Sequence, residues 1–122
     1  EGLSFLVKGS VPMDWKETLR HTSSLLGPLR AEQADTAKGF HELHEAALAP
    51  GALSTKEKEL IALAIGISKQ CVDCIGYHVK AAIRAGATRD EVAETVNVVV
   101  MMNGGPGYMY GAKAMEAFDQ LS

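Results

Sequence analysis

The chain has 122 residues, 47% hydrophobic and 22% charged, and its twelve Lys and Arg against fifteen Asp and Glu leave a net charge of −3. That length suits a single domain, 1–122, with a small core of the kind that often gains stability by oligomerising, and the composition excludes a disordered chain. The charge balance offers no footprint for nucleic acid or an anionic membrane, and the longest apolar run, Val98 to Met102, is too short to cross a bilayer.

Punctuation along the chain predicts helix after helix. Asp14 and Glu17 read as a capping box opening a helix that ends near Gly27-Pro28. The next segment, Ala31 to about Ala49, sets Ala37, Phe40, Leu43 and Ala47 on one stripe and stops at Pro50-Gly51. Ser54 with Glu57 is a second capping box, followed by Leu60, Ile61, Ala64 and Ile65 at helical spacing. A turn at Lys69-Gln70 leads to a helix from about Cys71 to Ala85, closed by Gly86 where a left-handed residue is wanted. Thr88 with Glu91 is a third capping box, for a helix through about Met102. Gly104-Gly105-Pro106-Gly107 reads as a helix break, and Tyr108 to Gln120 as the last helix. With no sustained alternation of period two, the expected fold is all-α with about six helices.

The helix from Thr88 is apolar nearly all round its second half, through Val96, Val98, Val99, Val100, Met101 and Met102. Such a helix is buried on all sides, as a central core helix or at a subunit interface. In so small a domain the interface is the better expectation. Trp15, Phe5 and Leu6 are most simply packing residues. His41 and His44, which flank Phe40 and Leu43, suit solvated or partner-facing positions better than ligand positions, and Phe40 suits either the core or a pocket wall. No charged n-region followed by an apolar stretch occurs in the first thirty residues, which favours the cytoplasm.

Chemistry concentrates in Cys71-Val72-Asp73-Cys74, which holds both cysteines of the chain. Two cysteines at i, i+3 of a helix have Cα atoms roughly 5 Å apart, within the window of a disulfide. At a helix start, free backbone N–H groups and the dipole favour thiolate. His78, four residues after Cys74, shares their face and can exchange a proton with that sulfur. A thiol pair with an adjacent base is what disulfide exchange or peroxide reduction requires. Two rival readings remain open: a pair of small core residues, and a Cys2His metal site, although structural zinc usually wants a fourth ligand. By position alone Cys71, nearer the helix end, is the more exposed nucleophile. Glu59 orients the imidazole if the flanking helices fold back as a hairpin about Gln70; beside Lys56 and Lys58 it reads equally as a solvated charge.

Eleven residues separate Glu59 from Cys71, and Cys-x-x-Cys is then followed by His78. This pattern, with Ala82-x-x-Ala85-Gly86-Ala87-Thr88-x-x-Glu91 downstream, resembles the alkyl hydroperoxidase D-like family of the carboxymuconolactone decarboxylase superfamily over roughly Phe40 to Phe118. The resemblance implies an all-α fold in homotrimers or homohexamers, acting as a thiol peroxidase or disulfide reductase on alkyl hydroperoxides. It makes Cys74 the peroxidatic thiol and Cys71 the resolving one, with His78 and Glu59 relaying the proton through a water. It also implies re-reduction by a lipoylated or other dithiol protein, with no cofactor and no metal. The sequence departs from the best-studied peroxidase at Asp73, where that enzyme has His; a carboxylate there opposes thiolate formation. It also lacks that enzyme's duplicated helical domain and matches shorter, single-motif members. The alternatives are a lactone decarboxylase-like acid–base enzyme, which would not depend on the cysteines, and a non-enzymatic thiol sensor.

Overall fold

The computed structural model describes residues 12–122, and these contain six α-helices and no strand: α1 (Trp15–Glu32), α2 (Ala34–Leu48), α3 (Thr55–Ser68), α4 (Val72–Arg84), α5 (Arg89–Asn103) and α6 (Gly105–Leu121). Phe5 and Leu6 lie outside the described residues. Two of the capping boxes form in full. Ser54 and Glu57 exchange side-chain and backbone bonds at the start of α3, and Thr88 and Glu91 do so at α5. The third forms only by half: Asp14 accepts from the Glu17 N–H at 3.1 Å, but the Glu17 carboxylate turns to Arg20. An arginine one turn on offers two N–H groups, which outcompete the return bond to a backbone N–H.

Two expected breaks are not breaks. α1 continues through Gly27 and Pro28 and ends only at Gln33. A proline inside a helix leaves one carbonyl without its donor, and on this solvent-facing stretch water can replace it. The second correction concerns Gly105, Pro106 and Gly107, which already belong to α6, with proline in the first turn where its missing N–H costs nothing. Gly104 alone makes the corner, at φ +68°. Gly107 lets α6 lie close on α5, since a Cβ there would stand 3.0 Å from the Val100 Cα. Gly86 takes the expected positive φ, +97°.

Trp15, Leu63, Ile67, Ile75, Val79 and Val92 are the largest fully buried side chains, joined by Val99, Ala114 and Ala117. α3, α4, α5 and α6 thus share one core, and Trp15 pins the start of α1 to it. Its indole N–H donates to Glu116 at 2.8 Å, and its backbone N–H donates to Gln120 at 2.8 Å. Gly76 makes room for this anchor: a Cβ there would meet Leu19 at 2.8 Å and Trp15 at 3.0 Å.

The apolar stretch of α5 divides into two faces. Val92 and Val99 enter the core, whereas Val98, Met101 and Met102 are exposed, beside Tyr108 and Met109 at the start of α6. α2 is different again, because none of its fifteen residues is buried. Phe40 and Leu43 are 63% and 64% exposed, which rules out the core position considered for Phe40.

Candidate active site

α3 and α4 pack against each other more extensively than any other pair of helices, and the turn between them places the cysteines. Gln70 adopts φ +57°, a left-handed corner, and the Cys71 N–H then bonds the Gly66 carbonyl at 3.0 Å. Cys71 becomes the N-cap of α4, its sulfur accepting from the Cys74 N–H at 3.2 Å. The two cysteines are joined as a disulfide with Cα atoms 5.2 Å apart, so in this form neither sulfur is free to ligate. Both are half-buried, so the exposure argument does not separate them. Beneath them lies Gly66, where a Cβ would stand 3.2 Å from that of Cys74. The bare backbone of α3 lets the Cys74 turn settle onto it.

One turn further along α4, His78 Nδ1 lies 2.8 Å from Glu59 Oε1 of α3. The Glu59 side chain is 7% exposed and that of His78 24%. Glu59 is therefore no solvated charge. It is the one charged residue in the core among the described residues, and burial without a partner would cost several kcal/mol. An ionised carboxylate only accepts, so Nδ1 carries the proton and Nε2 is left as the free, basic nitrogen. Glu59 also borders an open depression lined by Lys56, Ala81, Arg84 and Ala85.

Three side chains of α1 and α2 complete the surroundings, and sequence reasoning assigned none of them a part. Thr22 donates to Asp73 at 2.8 Å, tying the carboxylate inside the Cys-x-x-Cys segment to α1. Ser23 bonds the Tyr77 hydroxyl, which also donates to the Leu19 carbonyl at 3.2 Å. His44 of α2 lies beside His78, with ring centroids 6.3 Å apart and planes 19° from parallel. The spacing of His44 four residues after Phe40 was the only local signal for it. His41, by contrast, faces solvent and pairs with Glu45. Among the described residues, no group of three or more His, Cys, Asp or Glu is placed to hold a metal ion, and no helix is long and apolar enough to cross a membrane.

The carboxymuconolactone decarboxylase family model matches residues 34–117, which include the cysteines, His78 and Glu59. The chain belongs to this family. An uncharacterised protein of Cupriavidus necator is 38% identical over 109 residues, covering 89% of this chain and 96% of its own. A protein encoded in the cox locus of Paracoccus denitrificans is 35% identical over 99 residues, with 81% and 89% covered. Among solved structures, a family member from Legionella pneumophila superposes with a TM-score of 0.86 at 41% identity, covering 88% of this chain and 96% of its own. A Thermotoga maritima member with a suggested part in the antioxidative response has a TM-score of 0.75 at 25% identity, covering 85% and 89%. The family and its all-α fold match what the Glu–Cys-x-x-Cys–His spacing implied.

Proposed function

We propose that this carboxymuconolactone decarboxylase family protein is a thiol-disulfide oxidoreductase that reduces alkyl hydroperoxides. The observation that carries the reading is a disulfide-forming pair at a helix start, one turn from a histidine held by a buried carboxylate. In the reduced protein the Cys74 thiol gives its proton to Nε2 of His78, directly or through a water. The thiolate attacks the outer peroxide oxygen; the O–O bond breaks, an S–O bond forms, and the departing alkoxide takes the proton back as alcohol. Cys71 then attacks the sulfenic acid, the S–S bond forms and water leaves. A dithiol donates two electrons and two protons to restore both thiols, giving one alcohol and one water per hydroperoxide consumed. Glu59 fixes the imidazole tautomer throughout, as a carboxylate orients histidine in hydrolase triads.

The dithiol is a lipoylated or similar protein partner, and the cytoplasm is where such a donor is kept reduced. The exposed apolar side chains Val98, Met101, Met102, Tyr108 and Met109, with Ile61 and Ile65 on α3, form the face through which copies assemble as a trimer or hexamer. Light scattering at micromolar concentration tests the assembly, and a stable monomer contradicts it. Peroxide consumption with dihydrolipoamide, across several alkyl hydroperoxides, tests the activity. Turnover abolished by thiol alkylation supports the reading; an activity that survives alkylation favours the cysteine-independent decarboxylase chemistry instead.

A further inference from the structure

His78 is held by Glu59 at one atom, Nδ1. A single hydrogen bond in the ring plane fixes one edge of an imidazole and leaves the ring free to tilt about that edge. The direction of Nε2, the nitrogen that has to meet the thiol, is then set by whatever lies against the ring face. His44 is the aromatic neighbour of that ring, at 6.3 Å between centroids and 19° from parallel. Phe40 follows one helical turn earlier, its ring 6.4 Å from that of His44 and inclined at 48°. Both separations fall within the range of aromatic contact. Phe40, His44, His78 and Glu59 therefore form one row, from a ring 63% exposed to a carboxylate 7% exposed. α2 has no buried residue; besides this row, Thr55 and Lys58 of α3 bond the Leu48 and Ala49 carbonyls at its C-terminal end.

We propose that His44 is a positioning residue for His78, and that His44 and Phe40 form the outer wall of the site, on which the apolar group of an organic hydroperoxide rests. The substrate half of this inference depends on the peroxidase reading; the positioning half does not. A flat ring beside the imidazole limits its tilt, and that effect does not need the His44 nitrogens. Phe40 offers apolar surface at the rim, which hydrogen peroxide has no group to use and an aryl or tertiary alkyl hydroperoxide does.

Steady-state kinetics of His44→Ala, His44→Phe and Phe40→Ala with cumene hydroperoxide and hydrogen peroxide separate these roles, with circular dichroism to check folding. His44→Ala lowers kcat roughly tenfold or more with both peroxides, since misplacing a reacting group by about an ångström costs up to a hundredfold. His44→Phe restores most of the rate, because the wall returns without the nitrogens. Phe40→Ala raises KM about fivefold for cumene hydroperoxide, roughly 1 kcal/mol, and leaves that for hydrogen peroxide unchanged. A His44→Phe variant as slow as His44→Ala overturns the wall in favour of a proton-carrying role, and equal KM changes for both peroxides overturn the substrate contact. The proton NMR signal of His78 Nδ1–H in the resting oxidised protein gives a readout without turnover. It is sharp in wild type and His44→Phe and exchanges faster in His44→Ala; an unchanged signal overturns positioning. Should wild type consume no peroxide while this signal responds, the peroxidase reading fails and the positioning of His78 stands.

Discussion

α2 and the α3–α4 hairpin are both helical, and both carry histidines and apolar stripes, yet they stand at opposite ends of the scale of burial. The hairpin has Glu59, Leu63, Ile67, Ile75 and Val79 buried. α2 has nothing buried, and Phe40, Leu43 and His44 are all exposed. The hairpin draws its order from packing, which sets Cys74 over Gly66 and Glu59 against His78. α2 draws its order from local helix formation and a few side-chain contacts. The candidate site is therefore built on the well-packed element, with the exposed helix at its edge.

The sharpest break of this comparison falls on the cysteines. Cys74→Ser abolishes turnover and sulfenic acid formation, whereas Cys71→Ser allows one stoichiometric oxidation and no turnover. A sulfenic-acid trap followed by mass spectrometry distinguishes them; labelling of Cys71 in the Cys74→Ser variant reverses the assignment. Next in size, His78→Gln and Glu59→Gln each slow peroxide reduction at least about tenfold, at the low end of the cost of losing an acid–base group. Their effects fall well short of additive, because both serve one proton path. Wild-type rates for Glu59→Gln at every pH would reduce that carboxylate to a structural ion pair.

Stability gives a further contrast, between two glycines. Gly76→Ala drives a Cβ into Leu19 and Trp15 and destabilises the protein by about 1–3 kcal/mol, the usual cost of overpacking. Gly39→Ala, within α2 and with nothing inside 4 Å, stabilises by up to about 1 kcal/mol through helix propensity. Denaturant melts of the two variants read both signs, and a destabilised Gly39→Ala would mean that α2 is packed after all. The smallest effect lies at the caps. Hydrogen bonds from the Ser54 backbone hold the Glu57 carboxyl below its usual range, and Lys56, then the Thr88 backbone, do the same for Glu91. A depressed carboxylate adds stability above its unfolded value and loses it as pH falls through the folded one. Stability therefore declines below a pH of about 4.3, and Glu57→Gln and Glu91→Gln flatten that decline slightly in pH-dependent melts.

What was legible in the sequence is what is local. The capping boxes of α3 and α5 and the Gly86 terminus need only residues three or four apart, and all three form. The face shared by Cys71, Cys74 and His78 follows from helical spacing, and Glu59 joined it through the family pattern and a hairpin assumed from the turn at Gln70. Local signals misled where a partner at longer range or the solvent decided. Pro28 is tolerated because its stretch of helix faces water, and Gly105 to Gly107 are helical because α6 lies close on α5. The Thr22–Asp73 bond spans 51 residues, and no spacing rule reaches it. His41 and His44 read together as solvated or partner-facing, and both are exposed; that His44 comes beside His78 depends on how α2 packs, which the sequence does not say.

The central claim is that Cys71 and Cys74 form a two-electron couple which hydroperoxide oxidises within one chain. Fully reduced protein mixed with one equivalent of cumene hydroperoxide tests it without any partner or reductant. The account predicts one equivalent of cumyl alcohol, a mass lower by two hydrogens, a Cys71–Cys74 link in the peptide map and no covalent dimer. Unconsumed peroxide with both thiols still titratable, or disulfides formed mainly between chains, would contradict it.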